Sequence, residues 1–289
     1  MRRARTERPE NFEVDLSHPL MRGAVLLGLG QSHHSPRYRD ESAKGNHGVL
    51  TNMDPATDWL WEPKLGRRVL DFDGNEYIGG LTKVPVPVIW THAAWVYIAG
   101  YPASTDAHFG ICMTFADDPS SLTHDRGLGI ETAAQGGRVA AYQYAGSEKF
   151  GYGPAVPLAA WNHLVASYDG TNLRAYCNGI AGSPSASGVG FAGYTTPELV
   201  LARVKYAGLS SRMSDCLCWP RALSAAEIMQ LADPSNVMMS GAIREPRPRR
   251  NFIGQAGEAP PSVGVRYGGA FRWAGGGIGV RRGGALRGA

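Results

Sequence analysis

The clearest pattern lies at residues 211 to 219. There Met213, Asp215, Leu217 and Trp219 alternate with Ser214, Cys216 and Cys218, the period of a β-strand. Directly behind it Ser224 is followed three residues later by Glu227, a capping box that opens a helix whose apolar positions Ile228 and Leu231 can fold back on a core. Shorter apolar or alternating runs predict strands near 24–29, 47–52, 67–72, 75–79, 89–99, 108–116, 127–134, 138–145, 162–168, 172–178 and 198–204. Asp169-Gly170 between two of these runs is the best hairpin signal. Helical periodicity is otherwise nearly absent, so the pattern predicts an all-β sandwich closed by one short helix.

Four blocks in chain order carry a resemblance. They are Asp40-Glu-Ser-Ala-Lys-Gly-Asn-His-Gly-Val-Leu, Gly66-Arg-Arg-Val-Leu-Asp-Phe-Asp-Gly-Asn-Glu-Tyr-Ile, the stretch Trp161 to Gly179, and Ser211 to Ile228 with its Arg221-Ala-Leu-Ser-Ala-Ala-Glu-Ile ending. Together they resemble the laminin-G-like, concanavalin A-like jelly rolls over residues 18–232. The resemblance implies an all-β jelly-roll sandwich with one short C-terminal helix. It also implies a calcium site at the rim between an early and a late aspartate, here Asp40 and Asp215, because a hard cation takes carboxylate and main-chain oxygens. Cys216 and Pro220 depart from the family's usual final strand.

Composition adds two extended tails. Residues 1–17 form an N-terminal arm, 18–232 the domain, and 233–289 a Pro/Arg-rich and then Gly/Arg-rich tail. Residues 1–10 carry four Arg against two Glu, and 241–289 carry nine Arg against two Glu, whereas the whole chain is only +4. A mildly acidic domain therefore lies between basic ends, which suit acidic partner subunits or nucleic acid. Arg244, Arg247, Arg249, Arg250, Arg281 and Arg282 are the expected assembly contacts. Cys112, Cys177, Cys216 and Cys218 do not read as a disulfide framework in a chain this long; they are expected as small buried hydrophobes.

Candidate chemistry is sparse. Glu13-Val-Asp15 is the one Glu-x-Asp, the pairing a glycoside hydrolase on this fold would use, but it lies in the leader arm with His18 in place of a third carboxylate. No nucleophile elbow, zincin motif or phosphate loop occurs, and no enzymatic activity is expected. Adjacent His33 and His34 point opposite ways in an extended loop, and His163 sits inside a strand as a structural residue. Tyr142 and Tyr144 share one strand face, and Trp59 and Trp61 share another; the tyrosines are the candidate ligand platform.

The opening His18-Pro-Leu-Met-Arg-Gly, the Leu50 to Trp59 stretch and the Gly/Arg-rich end resemble laminin-G-like proteins of tailed bacteriophages. The leading expectation is a non-enzymatic virion component, a decoration, fibre or tail protein, contacting neighbouring subunits and forming a homo-oligomer. It would be made in a host cytoplasm, since no secretory signal or membrane span is legible. The alternative is a carbohydrate-binding, lectin-like module of a bacterial surface protein. A host glycan is a partner common to both.

Overall fold

The computed structural model describes residues 12–29, 36–73, 75–82, 84, 86–102, 109–116, 124–144, 147–187, 198–202, 210–233 and 242–244, with a backbone hairpin at 266–267 and 270–271. The chain divides into two units, 1–246 and 247–289. In the second unit Arg266–Tyr267 pairs antiparallel with Ala270–Phe271.

The first unit is a sandwich of two antiparallel sheets. One runs, edge to edge, β12 (Glu148–Ala155), β11 (Arg138–Tyr144), β10 (His124–Glu131), β9 (Phe109–Ala116), β17 (Glu198–Leu201), β7 (Tyr77–Leu81), β4 (Gly48–Thr51) and β3 (Arg37–Tyr38). The other runs β15 (Ile180–Ala181), β14 (Asn172–Cys177), β13 (Trp161–Tyr168), β8 (Trp90–Ile98), β18 (Ser211–Trp219), β6 (Arg67–Phe72) and β5 (Trp59–Glu62). Two short strands join it, β16 (Ser185–Ala186) beside β14 and β2 (Leu26–Gly28) beside β18.

Alternation along these strands builds the core. Ala94, Val96 and Ile98 of β8 and Leu164, Ala166 and Tyr168 of β13 face Val139 and Ala141 of β11 and Leu128 and Ile130 of β10 in one apolar interior. Burying the larger of these side chains, such as Val96, Ile98, Leu128, Ile130 and Leu164, contributes about 1.5–3 kcal/mol each, and this core drives the fold. The expected hairpin forms: Asp169 Oδ1 accepts from the N–H groups of Thr171 (2.9 Å) and Asn172 (2.8 Å), while Gly170 takes the positive φ of 98°.

The outer face of the second sheet carries a separate apolar cluster. Helix α1 (Ala225–Leu231) lays Ile228 and Leu231 against Trp219, Leu217, Ala93 and Val165 there. Its capping box is present: Ser224 Oγ accepts from Glu227 N (3.3 Å) and Ser224 N donates to Glu227 Oε2 (2.9 Å). Arg221 grips the same carboxylate at 2.7 and 3.1 Å and holds its pKa down at about 2. On this face β1 (Glu13–Val14) pairs with β19 (Ile243–Arg244).

The last strand departs from its expected alternation. A register shift between Ser214 and Leu217 puts Asp215 at φ 48°, so the phase of the strand changes midway. Met213, Cys216 and Cys218 point into the core, whereas Leu217 and Trp219 point out under the helix. All four cysteines are free and buried, and burial pushes the Cys177 thiol up to about 11 and that of Cys216 to about 12.

Candidate ligand-binding face

Edge strand β12 and its neighbour β11 put an aromatic strip on the outer face of the eight-stranded sheet. Val139 and Ala141 face the core, so Ala140, Tyr142 and Tyr144 face outward. The register sets Tyr142 opposite Phe150, Ala140 opposite Tyr152 and Tyr144 opposite Glu148. Phe150 lies 5.3 Å from Tyr142 and stacks 5.6 Å from Tyr152 with the ring planes only 5° apart. Tyr142 is buried and backs the strip, while Tyr144, Phe150 and Tyr152 are half-buried.

A charged pair frames one end. Glu131, at the end of β10, accepts two hydrogen bonds from Arg138, at 2.6 and 3.0 Å, and the guanidinium lies 4.2 Å over the Tyr152 ring. Glu131 is nearly buried, whereas Arg138 is 42% exposed, so the cation is presented outward from a fixed base. The pairing raises the Arg138 pKa, and burial raises that of Tyr152. At neutral pH the strip thus offers flat apolar rings, a neutral phenol and a guanidinium in one line. Such a surface can meet an apolar ligand with its ring edges and exposed ring area and hydroxyl groups with its polar atoms.

Two glycines bring the edge strand into place. A Cβ on Gly151 would lie 2.6 Å from the Leu173 carbonyl oxygen, and one on Gly153 would lie 2.8 Å from that of Ala175. The backbone of β12 therefore rests directly on β14 of the opposite sheet, closing the sandwich at this corner. Tyr152, between them, is turned to the outside.

The two aspartates of the expected calcium pair are each held by protein donors in this structure. Asp40 accepts from the N–H groups of Leu27 (2.9 Å), Ser42 (2.8 Å) and Asn46 (2.8 Å) and from the Ser42 hydroxyl (2.6 Å). Its carboxylate organises the loop that follows β3, and the open groove of about 640 Å³ there is lined by Arg37, Arg39 and Lys44 together with Asp40, Glu41 and His47. Asp215 is buried against the Arg67 guanidinium and also accepts from the Ser214 hydroxyl (3.3 Å). Both carboxylates are thus engaged by protein donors, and among the described residues no three His, Cys, Asp or Glu side chains gather as a metal set.

Other candidates fall as follows. Asp15 accepts from the amide and hydroxyl of Ser17 in a turn, and Glu13 belongs to β1. Trp59 is in the core, while Trp61, on the same strand face, is 45% exposed at the edge. His163 is buried with its ring 5.3 Å from Trp95, a structural histidine. His33, His34, Arg247, Arg249, Arg250, Arg281 and Arg282 lie outside the described residues, and of Arg244 only the backbone is described. The sequence singles out Tyr142 and Tyr144, and the structure sets Phe150, Tyr152, Arg138 and Glu131 in the same strip, none of which the sequence pattern points to. Phe150 and Tyr152 themselves stand two apart, a signal obscured by Gly151, Gly153 and Pro154.

Comparison with known proteins agrees with this architecture. Residues 76–229 match the laminin-G family described as the concanavalin A-like lectin/glucanases superfamily. No curated protein sequence matches the chain. Among solved structures it is similar to domain 4 of AbnA, a GH43 extracellular arabinanase from Geobacillus stearothermophilus, in complex with arabinotriose. The identity is 17%, the TM-score 0.50, and 73% of this chain and 100% of that chain are covered. It is likewise similar to the binding domain of Paraclostridial Mosquitocidal Protein 1, at 13% identity and TM-score 0.52 over 74% of this chain and 52% of that one. A Trypanosoma rangeli sialidase mutant displaying trans-sialidase activity matches at 13% identity and TM-score 0.50, covering 77% of this chain. The chain spans only about a third of the sialidases' length, 36% of that mutant.

Proposed function

We propose that this chain, which belongs to the concanavalin A-like lectin/glucanases superfamily, is a glycan-binding module that holds an oligosaccharide on the strip of Tyr144, Phe150 and Tyr152 without cleaving it. The observation that carries the reading is the half-exposed row of Tyr144, Phe150 and Tyr152 on the outer face of the sheet, with the Arg138–Glu131 pair at its end. The arabinotriose held by the arabinanase domain supports the ligand class. Binding without hydrolysis is supported by the engagement of Glu131, the carboxylate beside the strip, by Arg138 through both its oxygens.

The test is calorimetric titration with neutral oligosaccharides of three to six sugar units, arabinotriose among them. Tyr152→Ala should weaken binding about tenfold or more, the loss of about 1.4 kcal/mol that one stacked ring supplies. Affinity unchanged by Tyr152→Ala and by Phe150→Ala together would overturn the assignment of the strip. Chromatography of the recovered sugar should show no shortened product.

The virion setting expected from the sequence concerns where such a module is carried. The separation of an acidic domain from basic ends supports it. Co-sedimentation of the chain with intact particles, abolished when 241–289 is removed, is its test.

A further inference from the structure

A second row of side chains crosses the opposite face of the sandwich, on the nine-stranded sheet. Register places Trp161 of β13 opposite Tyr97 of β8, Tyr97 opposite Arg212 of β18, and Arg212 opposite Asp71 of β6. Four adjacent strands thus set four side chains in a line of about 14 Å, at the usual strand spacing. All four are half-buried.

The chemistry repeats that of the first strip. Tyr97 and Trp161 have ring centroids 5.9 Å apart. Arg212 lies 5.7 Å over the Tyr97 ring and donates to Asp71 at 3.4 Å. In both places a guanidinium sits over a tyrosine, a carboxylate holds it, and a second aromatic ring extends the surface. Charged groups 40% and 41% exposed, Arg212 and Asp71, leave hydrogen-bonding capacity facing outward.

The row also has a rigid bed. Trp161 packs on a small apolar cluster of Leu65, Val69 and Trp95, separate from the main core. Trp95 is held between the His163 ring at 5.3 Å and the Arg67 guanidinium at 5.9 Å, and Arg67 is in turn fixed by Asp215. A buried layer beneath a half-exposed one holds the rings of the row in place.

From this we infer a second oligosaccharide site, formed by Trp161, Tyr97, Arg212 and Asp71, on the face opposite the first. For the class of ligand it rests on the glycan reading above. Its consequence is that one chain bridges two glycan strands, so binding to a glycan-coated surface gains from multivalency.

Stoichiometry decides it. Wild-type chain titrated with the same oligosaccharide panel should bind two equivalents. Trp161→Ala, and independently Arg212→Gln, should lower this to one, Tyr152→Ala should also lower it to one, and Trp161→Ala with Tyr152→Ala should bind none. Circular dichroism and the melting temperature check that each variant is folded, and Trp161→Phe should restore the second equivalent. A single equivalent lost in Tyr152→Ala but untouched by Trp161→Ala and Arg212→Gln overturns the second site and leaves the first. A single equivalent with the reverse dependence upholds the second site and removes the first. Absence of saccharide binding overturns both. If Trp161→Ala changes the sedimentation coefficient instead of the stoichiometry, the row is a contact between copies and the inference falls.

Discussion

His92 and His163 show how much a single buried side chain couples this fold to pH. His92 is fully buried between Trp90 (4.8 Å) and Phe115 (5.4 Å), and neither ring nitrogen has a hydrogen-bond partner among the described residues. Burial, reinforced by the nearby Arg126 charge, lowers its pKa to about 3; burial likewise lowers that of His163 to about 3, with Asp215 opposing. Both are therefore neutral in the fold, whereas in the unfolded chain they protonate below about pH 6.5. Stability is complete above that value and falls as pH drops from about 6.5 towards 3, by up to about 1.4 kcal/mol per pH unit for each histidine. His92→Leu, which removes one titrating group and two buried polar atoms, should flatten the decline of melting temperature between pH 6.5 and 4. An unchanged slope would show that the acid sensitivity resides elsewhere.

At the scale of elements, the contrast between β13 and β12 explains what could be read from the chain. Strand β13 carries its own alternation, Leu164, Ala166 and Tyr168 inward against Val165 outward, and its hairpin turn is written in Asp169-Gly170. Strand β12 has no such pattern because its glycines answer to a tertiary contact, the close approach of β14, which leaves no local trace. The aromatic strip was half legible for the same reason: its β11 tyrosines sit in an alternating run and its β12 rings do not. The bulge at Asp215 was hidden too, since the apolar positions on its two sides look continuous in sequence. The contact itself makes a test. Gly153→Ala should destabilise by about 1–3 kcal/mol, lowering the melting temperature by several degrees, because the new methyl meets the Ala175 carbonyl, which is backbone and cannot rotate away. Gly100→Ala is the control, since a Cβ there meets nothing within 4 Å, and equal losses in the two variants would refute the corner contact.

Across the whole first unit, the segments flanking the 18–232 span are tied to each other and to the sandwich. Val14 pairs with Ile243, the Asp15 amide donates to the Ala242 carbonyl at 2.8 Å, and Ala242 and Ile243 are buried in the cluster that also holds Trp219 and Ile228. Phe12 and Val14 pack against the same cluster. The interior between the two sheets is built almost wholly from residues 25 to 218 and does not need this clasp, whereas the helix-covered outer face does. A chain cut to 18–232 should therefore fold cooperatively with a β-type circular dichroism spectrum, yet melt lower than one of 12–246. Losing the apolar burial of Val14 and Ile243 costs about 2–4 kcal/mol, enough to shift the midpoint well beyond measurement error. Matching melting curves would mean that the paired ends lie on the sandwich without stabilising it. An unfolded 18–232 would mean that the outer cluster, and not the intersheet core, holds the domain together.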